Sequence, residues 1–318
     1  MSTTTALRPR TRTFVWGRRI ALLLIATLLL GYLTICTIVA NTLTVPRRNG
    51  VTMLPDVGWQ YTSTPTSVGL AYEDVAFPAR GGDANIRAWF IPAEKDAPAI
   101  MVVHGKDGCR TCEFQHNGLH FAQAMHARGF ALLMLDLRGH GESSDAHFTF
   151  GIKERRDILG GYDWLRSQGV ARIGLQGMSM GAASSIGAAA DEPGIAALVA
   201  DSSFATIRPV LAQEFPKASG LPGFFLPGAL AMTRFTAGTN IGASRPVDEI
   251  GRIAPRPVLL IHTKTDKLIP YTNAEQLAAA APGAALWITG GTGHVRSFTF
   301  DQPAYVERVA TFFAAALR

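Results

Sequence analysis

Two apolar patterns follow one another along this chain. Residues 20–40 form a run of 21 residues without a charge, rich in Leu, Ile and Thr. At about 1.5 Å per residue such a helix reaches about 30 Å, the thickness of a bilayer core, so the run predicts a transmembrane helix. From about residue 70 the pattern changes to short, nearly unbroken apolar runs such as MVVH, ALLMLD, ALVAD and VLLIH, separated by stretches of helical spacing. Unbroken runs suit strands whose two faces are both covered by helices. They predict strands at 71–78, 86–92, 98–104, 130–136, 172–178, 195–201, 257–263 and 284–289, and helices at 112–128, 152–168, 180–190, 272–281 and 301–317. That order is the one expected of a parallel sheet with crossover helices, a single α/β domain over residues 67–318.

Charge sharpens the reading of the first run. The net charge of +6 suggests a nucleic-acid partner until its location is read: Arg8, Arg10, Arg12, Arg18, Arg19, Arg47 and Arg48 all precede residue 49 and no acid accompanies them. The rest holds the other 23 of the 30 basic side chains against all 24 acids, so the folded part has no positive field for a phosphate backbone and no nucleic-acid partner is expected. Five arginines precede the apolar run and two follow it, which predicts a basic cytoplasmic tail at 1–19, an anchor at 20–40 and an extracytoplasmic domain at the cell membrane. A cleaved signal fits less well, because its apolar region is about 7–15 residues long and the best cleavage site here has Ile38 at −3. Residues 41–66 mix Pro, Gly, Thr and Ser without periodicity and read as a linker. Arginine outnumbers lysine 24 to 6, a composition that points to a bacterial source.

Three clusters carry chemistry, and each ends a predicted strand, where open α/β sheets place their ligands. Gly177-Met178-Ser179-Met180-Gly181 matches the G-x-S-x-G turn between a strand and a helix, which exposes a serine hydroxyl. A serine needs a base, and His294 in Gly-Gly-Thr-Gly-His follows the last strand. The orienting acid should lie between them in the chain, and Asp266 does; Asp201, which also ends a strand, is the alternative. His262, inside VLLIH, reads as structural. After AIMVVH, the loop His104-Gly105-Lys106-Asp107-Gly108 is placed to turn the Lys106 amide toward the serine, where with the Met180 amide it would form an oxyanion hole.

Together with Asp136-Leu-Arg-Gly-His-Gly-Glu-Ser143, these motifs stand in the order of the α/β-hydrolase superfamily, and the chain resembles its serine-hydrolase branch of esterase-like and serine aminopeptidase-like members. The resemblance covers about residues 70–318. It implies an α/β-hydrolase fold with a mostly parallel eight-stranded sheet, a short cap insertion at about 204–246, and Ser179, Asp266 and His294 as catalytic residues. His104, Gly105, Arg138, Gly177 and Gly181 would be site-adjacent, as would His140. One departure is Thr263, where the family usually has glycine in H-G-x-x-D. The activity implied is hydrolysis of a carboxylic ester through an acyl-enzyme; a peptidase, a thioesterase and a non-catalytic anchored module remain as alternatives. A small-molecule or acyl substrate is expected, and no metal or organic cofactor is called for.

Within the insertion, 221–232 is apolar and broken by prolines, so Phe224, Phe225 and Leu226 are expected in a cap over the substrate pocket. Cys109, Cys112, His116 and His120 cannot all reach one ion if they share a helix, since Cys109 and His120 would stand about 16 Å apart along it. A partial Cys112–His116–His120 site and a Cys109–Cys112 disulfide both stay open, and Cys36 lies in the apolar run.

Overall fold

The computed structural model describes residues 11–55 and 58–318. The first ten residues, with Arg8 and Arg10 of the basic tail, lie outside the described residues. The apolar run belongs to a 34-residue helix, α1 (Thr11–Thr44), about 51 Å long and so longer than a bilayer core is thick. Among the described residues it is the one helix long and apolar enough to cross a membrane. Threonines are tolerated in it because their hydroxyls donate to the carbonyl one turn back, as Thr27 does to Leu23 and Thr34 to Leu30.

Residues 41–66 are not a free linker. A hairpin of β1 (Val51–Leu54) and β2 (Gly58–Tyr61) occupies their centre. Polar contacts tie the stretch down: the Arg48 guanidinium donates to the carbonyls of His140, Gly141 and Ser143, and the Tyr61 hydroxyl donates to Asp136. Arg110 completes the dock, its guanidinium 4.5 Å and 4.3 Å from the ring centroids of Tyr61 and Trp89, which pack on each other, and paired with Asp136 at 2.8 Å. Sequence alone hides this because each contact spans tens of residues.

The rest is a three-layer domain. Its strands are β3 (Glu73–Pro78), β4 (Asn85–Ile91), β5 (Ala99–Val103), β6 (Ala131–Leu135), β7 (Ile173–Met178), β8 (Ile195–Asp201), β9 (Val258–Thr263) and β10 (Ala285–Thr289), in the order β10-β9-β8-β7-β5-β6-β4-β3. Only β4 pairs antiparallel, with β3 and β6. All eight strands fall where the apolar runs place them, and β5, β6, β7 and β9 are buried at every position, which is why those runs are unbroken.

Helices α4 (Glu154–Ser167), α5 (Met180–Asp191) and α8 (Thr272–Ala280) pack one face of the sheet. On the other face lie α3 (Gly118–His126) and α10 (Gln302–Ala316). The helix expected over 112–128 is broken. Its first turn, α2 (Glu113–His116), carries three consecutive residues of left-handed backbone, Phe114, Gln115 and His116 at φ 55°, 56° and 65°. The insertion after β8 forms α6 (Ile207–Ser219) and α7 (Phe225–Thr236); the last short helix before α10 is α9 (Ser297–Phe300).

Candidate active site

Ser179 sits between β7 and α5 at φ 52° and ψ −117°, a conformation that costs energy for any residue with a side chain and that clusters at functional sites. Its two neighbouring glycines are obligatory. A Cβ on Gly177 would lie 2.6 Å from the Gly181 carbonyl, and one on Gly181 would lie 2.3 Å from the Val103 carbonyl. The Ser179 amide donates to the backbone carbonyl of Asp201 at 2.8 Å, so the end of β8 holds the turn.

His294 Nε2 meets Ser179 Oγ at 2.8 Å, and His294 Nδ1 meets Asp266 Oδ2 at 2.7 Å. The histidine stands in a loop flanked by two left-handed residues, Gly293 at φ 103° and Val295 at φ 52°; for a β-branched residue such as Val295 this is strained. Outside contacts hold that loop. Thr263 donates its hydroxyl to the Gly293 carbonyl, Thr265 donates to the Gly291 carbonyl at 3.0 Å, and the Gln115 amide donates to the Val295 carbonyl at 3.0 Å. Thr263, the departure from the family pattern, thus bonds to the residue before His294, and the left-handed turn of α2 places Gln115.

Asp266 receives more than the histidine. Its Oδ1 accepts the amides of Leu268 and Ile269, and its Oδ2 also faces His262 Nε2 at 3.3 Å. Burial alone would raise this carboxyl, but donors from His262, His294 and the Ile269 amide outweigh it and hold the group well below the usual carboxylate range. The role of His262 escapes sequence reading, since VLLIH is simply a buried strand. Asp201 makes no such contact with His294: its carboxylate accepts from Tyr305 and Ser202, and burial raises it.

The loop after β5 lies against the serine, with a Cβ on Gly105 only 3.0 Å from Ser179 Cβ. Lys106 and Met180 line the same cavity as Ser179 and His294. The Lys106 ammonium turns back to Asp107 and lies 5.3 Å over the Phe148 ring. The Gly105 amide is taken by Glu113 Oε1 at 2.7 Å, a residue that no sequence signal marked. Although Glu113 retains some accessible surface, protein crowds its carboxyl, and burial pushes it up to about 7.

His104 and His140 act behind this loop. His104 Nδ1 donates to the Gly105 carbonyl while Nε2 accepts the Leu137 amide; His140 Nδ1 donates to the Arg138 carbonyl while Nε2 accepts the Asp107 amide. Burial lowers both, His140 to about 3, so each ring is a neutral peg with one donor and one acceptor. Arg138 is not beside the cavity; its guanidinium is buried in ion pairs with Asp157 and Asp83.

Two further expectations are corrected. Phe224, Phe225 and Leu226 do not line the cavity. Phe224 and Phe225 stack on Tyr32 of α1, at 6.5 and 5.3 Å between ring centroids, and Leu226 enters the core, because α7 packs along the apolar helix α1. The partial metal site is excluded by a Cys109–Cys112 disulfide, which removes Cys112 as a ligand and rests against the turn at Gly50.

Comparison with known proteins agrees with the fold. The family of X-Pro dipeptidyl-peptidases (S15 family) matches residues 85–214, and the family of TAP-like proteins matches residues 230–317. Among curated proteins, the uncharacterised YfhR of Salmonella typhi is 26% identical over 260 residues, covering 75% of this chain and 78% of its own length. Rv2307c of Mycobacterium tuberculosis is 29% identical over 256 residues, 78% of this chain and 81% of its own. Among solved structures, the esterase Pf2001 of Pyrococcus furiosus superposes with a TM-score of 0.68 at 23% identity, over 81% of this chain and 97% of that one. Est1E of Butyrivibrio proteoclasticus, solved with ferulic acid, gives 0.61 at 21% identity over 76% and 98%. With its sheet order and elbow, the chain has the α/β-hydrolase fold.

Proposed function

We propose that the protein is a membrane-anchored serine hydrolase that cleaves carboxylic esters. The observation that carries this reading is the unbroken relay from Asp266 through His294 to the strained Ser179, with bonds of 2.7 and 2.8 Å. His294 takes the Ser179 proton as Oγ bonds to the acyl carbon; the carbonyl becomes an oxyanion, held by the Lys106 and Met180 amides. Collapse of that intermediate breaks the ester C–O bond, and His294 passes the proton to the departing alcohol. Water, deprotonated by His294, then releases the acid and restores Ser179. Asp266 keeps the imidazole in the tautomer with Nδ1 protonated, and the Ile269 amide helps keep Asp266 ionised.

An ester is favoured over a peptide because the cavity beside Ser179 is lined mainly by aliphatic and aromatic side chains. The α1 arginines and the disulfide support an N-terminus inside and the hydrolase domain in an oxidising compartment outside. The test is labelling of the full chain with a fluorophosphonate and turnover of p-nitrophenyl acetate. Label on Ser179 is expected, with activity falling about 10⁶-fold in Ser179→Ala. Turnover in Ser179→Ala comparable to wild type would refute the reading.

A further inference from the structure

The cavity that reaches Ser179 has a volume of about 790 Å³, within the range of small-molecule sites, and one of its walls is the anchor. Ile35, Ile38, Val39 and Thr42 of α1 face it, at the i, i+3, i+4, i+7 spacing of one helix face. Opposite them stands α6, with Ile207, Val210, Leu211, Phe215 and Ala218 at the same kind of spacing. From Ile207 to Ala218 that stripe runs about 16 Å, and Ser179 and His294 lie in the same cavity.

The exposure of α1 locates this cleft relative to a bilayer. Leu22, Leu23, Leu24, Leu28, Leu29 and Leu30 are all more than half exposed, as a lipid-facing surface requires. Docking onto the domain starts two residues later: Tyr32 stacks on Phe225, and Cys36 and Ala40 are fully buried. Tyr32 and the 63%-exposed Phe224 stack where this docking begins, inside the 20–40 run. Ile38, still inside the 20–40 run, lines the cavity and is nevertheless 61% exposed, so the cleft opens sideways toward the lipid around α1.

We infer that α1 is part of the substrate site as well as the anchor, and that the substrate is a long-chain acyl ester of the surrounding membrane lipid. Its acyl chain lies between α1 and α6 and its ester carbon at Ser179. This rests on the serine-hydrolase reading and deepens it: chain-length selectivity is set by the transmembrane helix, and the substrate enters from the bilayer.

The test uses the full chain in liposomes. With a phospholipid carrying a diazirine on its acyl chain, crosslinks are expected on residues 35–43 and 207–219; crosslinks confined to residues 15–33 would overturn the inference. For selectivity, the ratio of palmitoyl to acetyl p-nitrophenyl ester turnover should fall by about tenfold or more in Ile38→Trp, and independently in Val210→Trp. Leu28→Trp, on the lipid-facing side, should leave the ratio at the wild-type value. An unchanged ratio in both cleft variants, with acetyl ester still hydrolysed, would sink the cleft while sparing the hydrolase; no hydrolysis of either ester and no fluorophosphonate label on wild type would sink both. Finally, a palmitoyl ester lipid in the same vesicle as the protein should be cleaved much faster than one in separate vesicles. Equal rates would rule out entry from the bilayer.

Discussion

Glu113 Oε1 accepts the Gly105 amide at 2.7 Å, so a carboxyl group stands directly behind the loop that faces Ser179. Burial raises this acid to about 7, which means that the native state binds more protons than the unfolded chain between its ordinary 4.5 and 7. Stability contributed by the protonated group is therefore present at low pH and lost as pH rises through 7. Glu113→Gln keeps an acceptor for Gly105 without a charge. It should be more stable than wild type at pH 8 by about 1–2 kcal/mol, solvent access trimming the full value, and indistinguishable at pH 4. Denaturant unfolding at the two pH values measures this; a variant less stable than wild type at pH 8 would show that the charge is used.

The neutral pegs His104 and His140 give the opposite dependence. The unfolded chain protonates histidine near 6.5, whereas burial holds His140 near 3, so the unfolded state binds more protons and stability falls as pH drops below about 6.5. His140 adds a slope of about 1.4 kcal/mol per pH unit in that window. In His140→Gln the amide oxygen can still accept from Asp107. Its loss of stability between pH 7.5 and 5 should be roughly 1–2 kcal/mol smaller than that of wild type. Identical slopes in wild type and variant would contradict a ring kept neutral by its surroundings.

Asp201 ends β8 and Asp266 follows β9 by three residues, and only geometry separates the two as partners of His294. Asp266→Asn leaves the base in the wrong tautomer and should lower kcat by about 10⁴-fold. In Asp201→Asn the side chain can still accept from Tyr305 and Ser202, and the Ser179 contact is to its backbone carbonyl, so activity should stay within about tenfold. Ester turnover in the two variants decides; the reverse order would move the orienting acid to Asp201.

What sequence could reveal here follows from what each contact needs. Strands buried on both faces announce themselves as MVVH or VLLIH, and the elbow announces itself because Gly177 and Gly181 have no room for a Cβ. The supporting contacts have no such signature. His262 reads as one more core residue, and Glu113 follows a cysteine in a stretch of helical composition whose left-handed turn no local propensity marks. The apolar 221–232 segment was legible as a buried surface, but not that the buried partner would be Tyr32, more than 190 residues away.

Thr263 tests the support of the base. Its hydroxyl bonds to the Gly293 carbonyl, and valine has the same shape and strand preference without the donor. Losing that bond beside a loop already strained at Val295 should release His294 at a cost of about 1–2 kcal/mol, seen as a roughly tenfold fall in kcat with KM little changed. Thr263→Ser restores the hydroxyl and should restore most of the activity. Steady-state kinetics of the pair check this, and equal activity in Thr263→Val and wild type would leave Thr263 a packing residue only.

The contact between α1 and α7 gives the last prediction. A Cβ on Gly228 would lie 2.5 Å from the Tyr32 hydroxyl and 2.6 Å from Cys36 Sγ, so the two helices approach as closely as they do only because residue 228 has no side chain. Cys36 is fully buried there, with its thiol directed at the Phe225 carbonyl, and it is the one free cysteine of the chain. Leucine at 228 cannot fit without parting the helices, since overpacking costs about 1–3 kcal/mol. In detergent micelles, wild-type Cys36 should resist N-ethylmaleimide until the protein is unfolded. In Gly228→Leu it should react rapidly while the Cys109–Cys112 disulfide stays intact. Equal protection of Cys36 in both proteins would mean that α1 and α7 accommodate the leucine and that the close approach at Gly228 does not hold α1 to the domain.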